Sequence, residues 1–292
     1  MKVGFIQQDN HQQQAVNLAH SIAQIGRLAS QDTDLVVLQE LHTCQYFCQT
    51  ENSDNFTIAE PIKGPTFRAL SAAAKQYKVV VVGSIFEQRH AGIYHNTAIV
   101  IDSDGCLAGF YRKMHIPDDP GYYEKYYFTP GDTGFTPIAT SLGKLGVCVC
   151  WDQWFPESAR LMALAGAELL IFPSAIGWDS SDSKAEKQRQ LDAWITIQRS
   201  HAIANHLPVI AVNRVGLEMD PSGNTAGIDF WGNSFICDAM GKLIIQADSR
   251  QATSLSAQIN LKDTQQQRNA WPFLRDRRID AYQDLSKFWR EN

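Results

Sequence analysis

The chain has 292 residues, of which 44% are hydrophobic and 20% charged, and its formal net charge is −5. That length fits one large domain or two small ones, with enough apolar residues for a core that needs no disulfide or metal staple. The acidic balance argues against a general nucleic-acid binder, and no apolar run nears the ~18 residues of a membrane span, so neither partner is expected.

In chain order, strands and helices alternate. Val3–Gln8 reads as a short apolar strand; Ala15, Leu18, Ala19, Ile22 and Ala29 then fall on one helical face, and Leu35–Gln39 is a second buried strand. A helix over Pro65–Tyr77 leads to the apolar strand Val79–Phe86. Thr97–Ile101 and Leu107–Tyr111 flank Ser103-Asp-Gly105, a hairpin turn. A long loop from Met114 to Pro137, rich in Pro, Gly, Asp and Tyr, has the length of a functional loop.

The second half opens with the strand Leu145–Cys148, a helix over Pro156–Ala165 and the strand Leu169–Phe172. A second long loop runs from Pro173 to about Lys184, before a helix near Glu186–Asn205 that turns Leu191, Trp194, Ile195 and Ala202 inward. Val209–Val212, Ser234–Cys237, Leu243–Ala247 and Leu255–Ile259 complete the strands. With no internal repeat or linker, residues 1–262 read as a single α/β domain. Residues 263–292, where Arg268, Arg275, Arg277 and Arg278 mix with Trp271 and Phe273, read as a tail, either an interface arm or a terminus packed on its own subunit.

The six cysteines are Cys44, Cys48, Cys106, Cys148, Cys150 and Cys237. None forms a Cys-x-x-Cys pair and no His-x-x-x-His stands near one, so no zinc site is expected. Met1-Lys-Val-Gly-Phe-Ile6 enters a strand without a signal-peptide h-region, and a reducing cytoplasm is the expected compartment.

Three chemically potent residues close strands. Glu40 ends Leu35-Val-Val-Leu-Gln-Glu40, Lys113 follows Leu107–Arg112, and Cys150 ends Gly146-Val-Cys-Val-Cys150 just before the helix-starting Pro156. Cys148 and Cys150 share a strand face by the period of two, so Cys148 is read as a core side chain only because Cys150 stands at the bend. A carboxylate, an ammonium and a thiol at three strand ends suit nucleophilic attack on a carbonyl.

Val37-Leu-Gln-Glu40, Tyr111-Arg-Lys-Met-His115 and Gly146-Val-Cys-Val-Cys150-Trp-Asp152 together resemble the nitrilase (carbon–nitrogen hydrolase) superfamily with its Glu-Lys-Cys triad. The resemblance runs from Met1 to about Leu243. It implies an αββα sandwich that assembles into dimers or larger homo-oligomers. It also implies roles: Glu40 general base, Lys113 oxyanion stabiliser, Cys150 nucleophile, and Glu124 a second glutamate that positions the site. The segments 115–135, 150–157 and 173–178 are most similar to members that hydrolyse carbamoylated diamines, so a small carbamoyl amine is the expected substrate, with no cofactor.

In the mechanism this implies, Lys113 and the Pro156 helix lower the pKa of the Cys150 thiol, and the tetrahedral oxyanion binds the Lys113 ammonium and the Trp151 backbone N–H. The distal ammonium of such a substrate calls for an acid or an aromatic ring; Asp179 beside Trp178 is the first candidate, with Asp118 and Asp119 competing. Alternatives are another carbamoyl or amide substrate such as N-carbamoyl-β-alanine, a nitrile, a Cys-His hydrolase with His115 or His42 as base, and a non-catalytic scaffold.

Overall fold

The computed structural model describes residues 1–290. Its elements run β1 (Lys2–Gln7), α1 (Gln14–Ala29), β2 (Leu35–Leu38), α2 (Pro65–Tyr77), β3 (Val80–His90), β4 (Ile93–Ile101) and β5 (Leu107–Arg112). After them come α3 (Glu124–Tyr127), β6 (Ile138–Thr140), β7 (Gly143–Val147), α4 (Pro156–Leu164), β8 (Leu169–Ser174), β9 (Gly177–Asp179) and α5 (Lys184–Asn205). The chain closes with β10 (Val209–Asn213), β11 (Val215–Glu218), β12 (Ile228–Trp231), β13 (Phe235–Cys237), β14 (Leu243–Gln246), β15 (Thr253–Gln258) and α6 (Leu261–Ala270).

Two six-stranded sheets form the body, ordered β15-β1-β2-β3-β4-β5 and β14-β13-β10-β8-β7-β6. Each has three parallel central strands, β1-β2-β3 in one and β7-β8-β10 in the other, flanked by antiparallel neighbours. Alternation along β2 shows how the layers are built. Leu35 and Val37 face the core between the sheets, while Val36 and Leu38 face a second cluster with Ile25 and Leu28 of α1 and Leu70 and Ala74 of α2. On the other sheet, Ala159 and Met162 of α4 and Trp194 and Ala202 of α5 supply the outer layer. The result is the expected αββα sandwich.

Because β4 runs antiparallel to both β3 and β5, the carboxyl end of β5 emerges on the same edge as that of β2. Glu40 and Lys113, one or two residues beyond those ends, therefore leave the sheet at the same end, where their side chains meet across β3 and β4 at 2.9 Å. The loop after Lys113 folds back over it: the Gly131 N–H donates to the Lys113 carbonyl at 2.8 Å, and a Cβ at Gly131 would collide with the Arg112 carbonyl.

Several elements depart from expectation. The buried face of α1 holds Asn17, Ser21, Ile25 and Leu28, with Ala15 and Ala19 exposed. Polar groups beneath the helix turn it: Asn17 bonds to the backbone of His11 and Thr43, and Ser21 donates to the Gln8 side chain. The short strands β9, β11 and β12 form a separate three-stranded sheet that bends the second long loop over the strand ends. Regular structure also continues past residue 262, since α6 runs to Ala270.

Candidate functional site

The site is built on a buried ion cluster. Lys113 Nζ donates to Glu40 Oε1 at 2.9 Å and to Glu124 Oε2 at 2.6 Å, with all three side chains sealed from solvent. The first turn of α3 carries Glu124 back from the long loop, and the Tyr46 hydroxyl fixes it by donating to Oε1 at 2.7 Å. Glu40 Oε1 also accepts from Asn96 Nδ2 at 2.6 Å, whereas its Oε2 is buried without a partner.

Cys150 approaches from the other sheet. Its backbone has φ of +44°, the left-handed region that is costly for a residue with a Cβ and that clusters at functional sites. A single 3₁₀ turn, Cys150–Trp154, separates β7 from α4. The turn is pinned by Asp152, which is fully buried: Oδ2 accepts from the Val149 N–H at 2.9 Å and the Tyr111 hydroxyl at 2.8 Å. Its Oδ1 accepts from the His115 N–H at 3.0 Å, so one carboxylate joins the turn bearing Cys150 to the strand end bearing Lys113.

Charge and burial set the protonation of the cluster. Burial works against the Lys113 ammonium, but Glu124 and Glu40 beside it hold it protonated well above the ordinary lysine range. Burial raises the Glu124 carboxyl to about 7, with Lys113 opposing. The Cys150 thiol goes up, not down as expected. Burial is the largest cause and the Glu40 charge adds to it, and together they outweigh Lys113. The ammonium is already matched by two carboxylates, and the intervening 3₁₀ turn separates the thiol from the start of α4. The resting nucleophile candidate is a neutral thiol.

Above the cluster lies a cavity of about 420 Å³, a ligand-sized space. Cys150 and Glu124 are on its wall with Trp151, Trp154, Ile176 and Trp231, while Asp119, Asp179, Asp182 and Arg189 supply its charges. Asp179 Oδ1 accepts from the Ser181 N–H at 2.7 Å and hydroxyl at 2.6 Å, which hold its carboxyl below the usual range. Arg189 is already engaged, its guanidinium bound to Glu186 at 2.6 and 2.8 Å. Tyr122 ties the two long loops, accepting from the Gly177 N–H at 3.0 Å.

The structure thus brings Glu40, Lys113, Glu124 and Cys150 together, with Trp151 and Asp179 on the cavity wall. Trp178 stands one ring back, packed on Trp231 with centroids 5.7 Å apart and donating its indole N–H to the Lys187 carbonyl. Neither histidine takes a base's position. His115 Nδ1 pairs with Asp152 Oδ1 at 2.7 Å, and its ring stacks on Phe155 at 3.7 Å. His42 is fully buried, and that burial drops its pKa to about 3. Sequence reasoning gave no role to Tyr46, Asn96, Asp152 or Asp182; Asp152 had a signal, closing the motif that holds Cys150, and so did Asp182, lying in the second long loop. Among the described residues no group of three or more His, Cys, Asp or Glu is arranged to hold a metal, and no helix is long and apolar enough to cross a membrane.

Fold and cluster together define a cysteine-bearing αββα hydrolase architecture, and comparison with known proteins agrees. A family model for carbon-nitrogen hydrolase matches residues 2–269, so the chain belongs to the carbon–nitrogen hydrolase family of the nitrilase superfamily and is a hydrolase of carbon–nitrogen bonds. It is 40% identical over 273 residues to N-carbamoylputrescine amidase of Arabidopsis thaliana, covering 93% of this chain and 90% of that one. It is 39% identical over 286 residues to citrullinase of Francisella tularensis, covering 98% of each. The crystal structure of a carbon-nitrogen hydrolase from Helicobacter pylori superposes with a TM-score of 0.97 at 51% identity, covering 99% of both chains.

Proposed function

We propose that the chain hydrolyses the carbamoyl C–N bond of N-carbamoylputrescine, giving putrescine, carbon dioxide and ammonia through a thioester on Cys150. The observation that carries this reading is the Lys113 ammonium clasped between Glu40 and Glu124 beneath a cavity that Cys150 lines. Its substrate class is supported by relatives named for N-carbamoylputrescine and citrulline, which share a terminal ureide.

A free thiolate would add an uncompensated negative charge to a dry site where one ammonium already faces two carboxyl groups. Attack and proton transfer are therefore coupled. As Cys150 Sγ bonds to the ureide carbon, its proton passes to Glu40 Oε2, the oxygen without a partner. The oxyanion gathers on the Lys113 ammonium and the Trp151 N–H. Collapse breaks the C–N bond and Glu40 returns the proton to the leaving nitrogen. Glu40 next draws a proton from water, which attacks the thioester. Sγ leaves and takes that proton back from Glu40, which restores the neutral thiol and the carboxylate, and the carbamate decays to carbon dioxide and the second nitrogen product.

Asp179, Asp182 and Asp119 in the cavity lining favour a substrate carrying a distal cation, because Arg189 is already spent on Glu186. Trp178 serves that end through Trp231. Unbridged cysteines suit a cytoplasmic setting, and the exposed Trp271, Ile279, Leu285 and Trp289 support the tail as an arm between copies of a homo-oligomer.

The test is a panel of N-carbamoylputrescine, citrulline, N-carbamoyl-β-alanine, a simple amide and a nitrile, with ammonia and amine release measured. The highest kcat/KM is expected on N-carbamoylputrescine. Preference for citrulline would move the reading to ureido amino acids, and turnover of the nitrile alone would sink it.

A further inference from the structure

We infer that Asn96 is a positioning residue for proton transfer, its side-chain amide occupying Oε1 of Glu40 so that Oε2 alone exchanges protons with Cys150 and water. The inference rests on Glu40 acting as the base. Four fully buried residues make a closed circuit. The Leu41 N–H donates to Ser84 Oγ at 3.0 Å, the Ser84 hydroxyl donates to Asn96 Oδ1 at 3.5 Å, and Asn96 Nδ2 donates to Glu40 Oε1 at 2.6 Å. The direction of donation sets the amide, since turning it over would place its oxygen against a carboxylate. The circuit begins on the residue after the one where it ends, and Leu41 is itself held at φ of +48°.

The same residue reaches the second member of the cluster through its backbone, because the Asn96 carbonyl accepts the Lys113 N–H at 2.9 Å. Asn96 thus fixes the carboxylate of Glu40 and the strand end that carries Lys113. With Lys113 Nζ and Asn96 Nδ2 both on Oε1, that oxygen is saturated on its accessible side, and rotation of the carboxylate would break two charge-assisted bonds at once. Oε2 has no such bond. A base held this way presents one oxygen in one direction at both proton transfers, which is the preorganisation the reaction needs.

The test compares wild type with Asn96→Ala, on the substrate that turns over fastest, alongside Glu40→Gln. In Asn96→Ala, kcat should fall about 10- to 100-fold, the scale of losing a hydrogen bond to a charged group. KM should stay within about threefold, because the amide touches no substrate. The solvent deuterium isotope effect on kcat should rise as proton transfer becomes slower relative to the other steps, a change that a merely structural role would not produce. Asn96→Ser, too short to reach Oε1, should behave alike. A folded variant with kcat within about threefold of wild type, or one whose loss leaves the isotope effect unchanged, overturns the inference. So does failure of both variants to fold, which would assign Asn96 to the architecture. Near-normal activity of Glu40→Gln would instead bring down the assignment of the base itself.

Discussion

Arg214 donates from Nη2 to the backbone carbonyl of Glu40 at 2.8 Å, so a buried guanidinium from one sheet holds the base at the edge of the other. The same group reaches the Leu41 and Cys44 carbonyls at 3.1 and 3.2 Å, pairs with Glu218 at 2.8 Å, and lies over the rings of Phe230 and Tyr46. It is fully buried. Arg214→Met should therefore strand the Glu218 carboxylate and cost ~3–5 kcal/mol, the scale for breaking a buried pair from one side. Urea denaturation should show Arg214→Met/Glu218→Leu losing less than the single variant. Equal losses would mean that the carbonyl contacts, not the ion pair, dominate.

Cys150 and Lys113 should separate activity from stability. Cys150→Ala removes one small side chain and no hydrogen-bonded charge, so turnover should vanish while stability stays within about 1 kcal/mol of wild type. Glu40→Gln should lose at least ~10²-fold in kcat. Lys113→Ala should abolish turnover too, but it leaves two buried carboxylates facing each other and should also cost ~3–5 kcal/mol. Measuring kcat and the denaturation midpoint on each variant checks all three; a Lys113→Ala protein as stable as wild type would contradict the ion cluster.

The contrast between Glu40 and Arg214 explains what the sequence could and could not disclose. Glu40, Lys113 and Cys150 each end a strand, and strand ends of α/β sheets are where ligands sit, so local pattern reaches them. Arg214 also follows a strand, β10, but its meaning depends on carbonyls some 170 residues away in the chain, which no local pattern encodes. Asn96 and Tyr46 were invisible for the same reason. The α1 face failed because an apolar count puts Ala15 and Ala19 inside, whereas Asn17 and Ser21 are buried by partners outside the helix. The strands β9, β11 and β12 are three or four residues long and carry too few positions for a period to show. The shift of the Cys150 thiol needed the number of charges and the depth of burial, both properties of the assembled site.

Asp179 and Asp182 give the specificity of the cavity a direct check. Asp179→Asn and Asp182→Asn should each raise KM for a carbamoyl diamine by about 3- to 10-fold, as expected for losing a partly exposed ion pair. Neither should change kcat/KM for a neutral carbamoyl alkylamine. An unchanged ratio between the two substrates in both variants would remove these carboxylates from recognition. High salt should shrink the same preference in the wild type, since the pair stands at a cavity mouth that solvent reaches.

Glu124 predicts a pH dependence of stability with an unusual sign. Its carboxyl is raised to about 7 from an ordinary value of 4.5, chiefly by burial. Between those values the native chain keeps a proton that the unfolded chain has released, so this group lowers stability as pH rises through the window. The reason is countable: one ammonium cannot neutralise two buried carboxylates, and a proton on Glu124 restores balance. Glu124→Gln, which is neutral at every pH, should lack that slope. Urea midpoints of wild type and Glu124→Gln, compared at pH 5 and pH 7.5, should therefore diverge in the variant's favour as pH rises. The variant will also lose turnover, because Lys113 then leans on Glu40 alone and draws toward the base. Parallel pH profiles of stability for the two proteins would show that Glu124 is ionised throughout, and that Lys113 and the Tyr46 hydroxyl together outweigh burial.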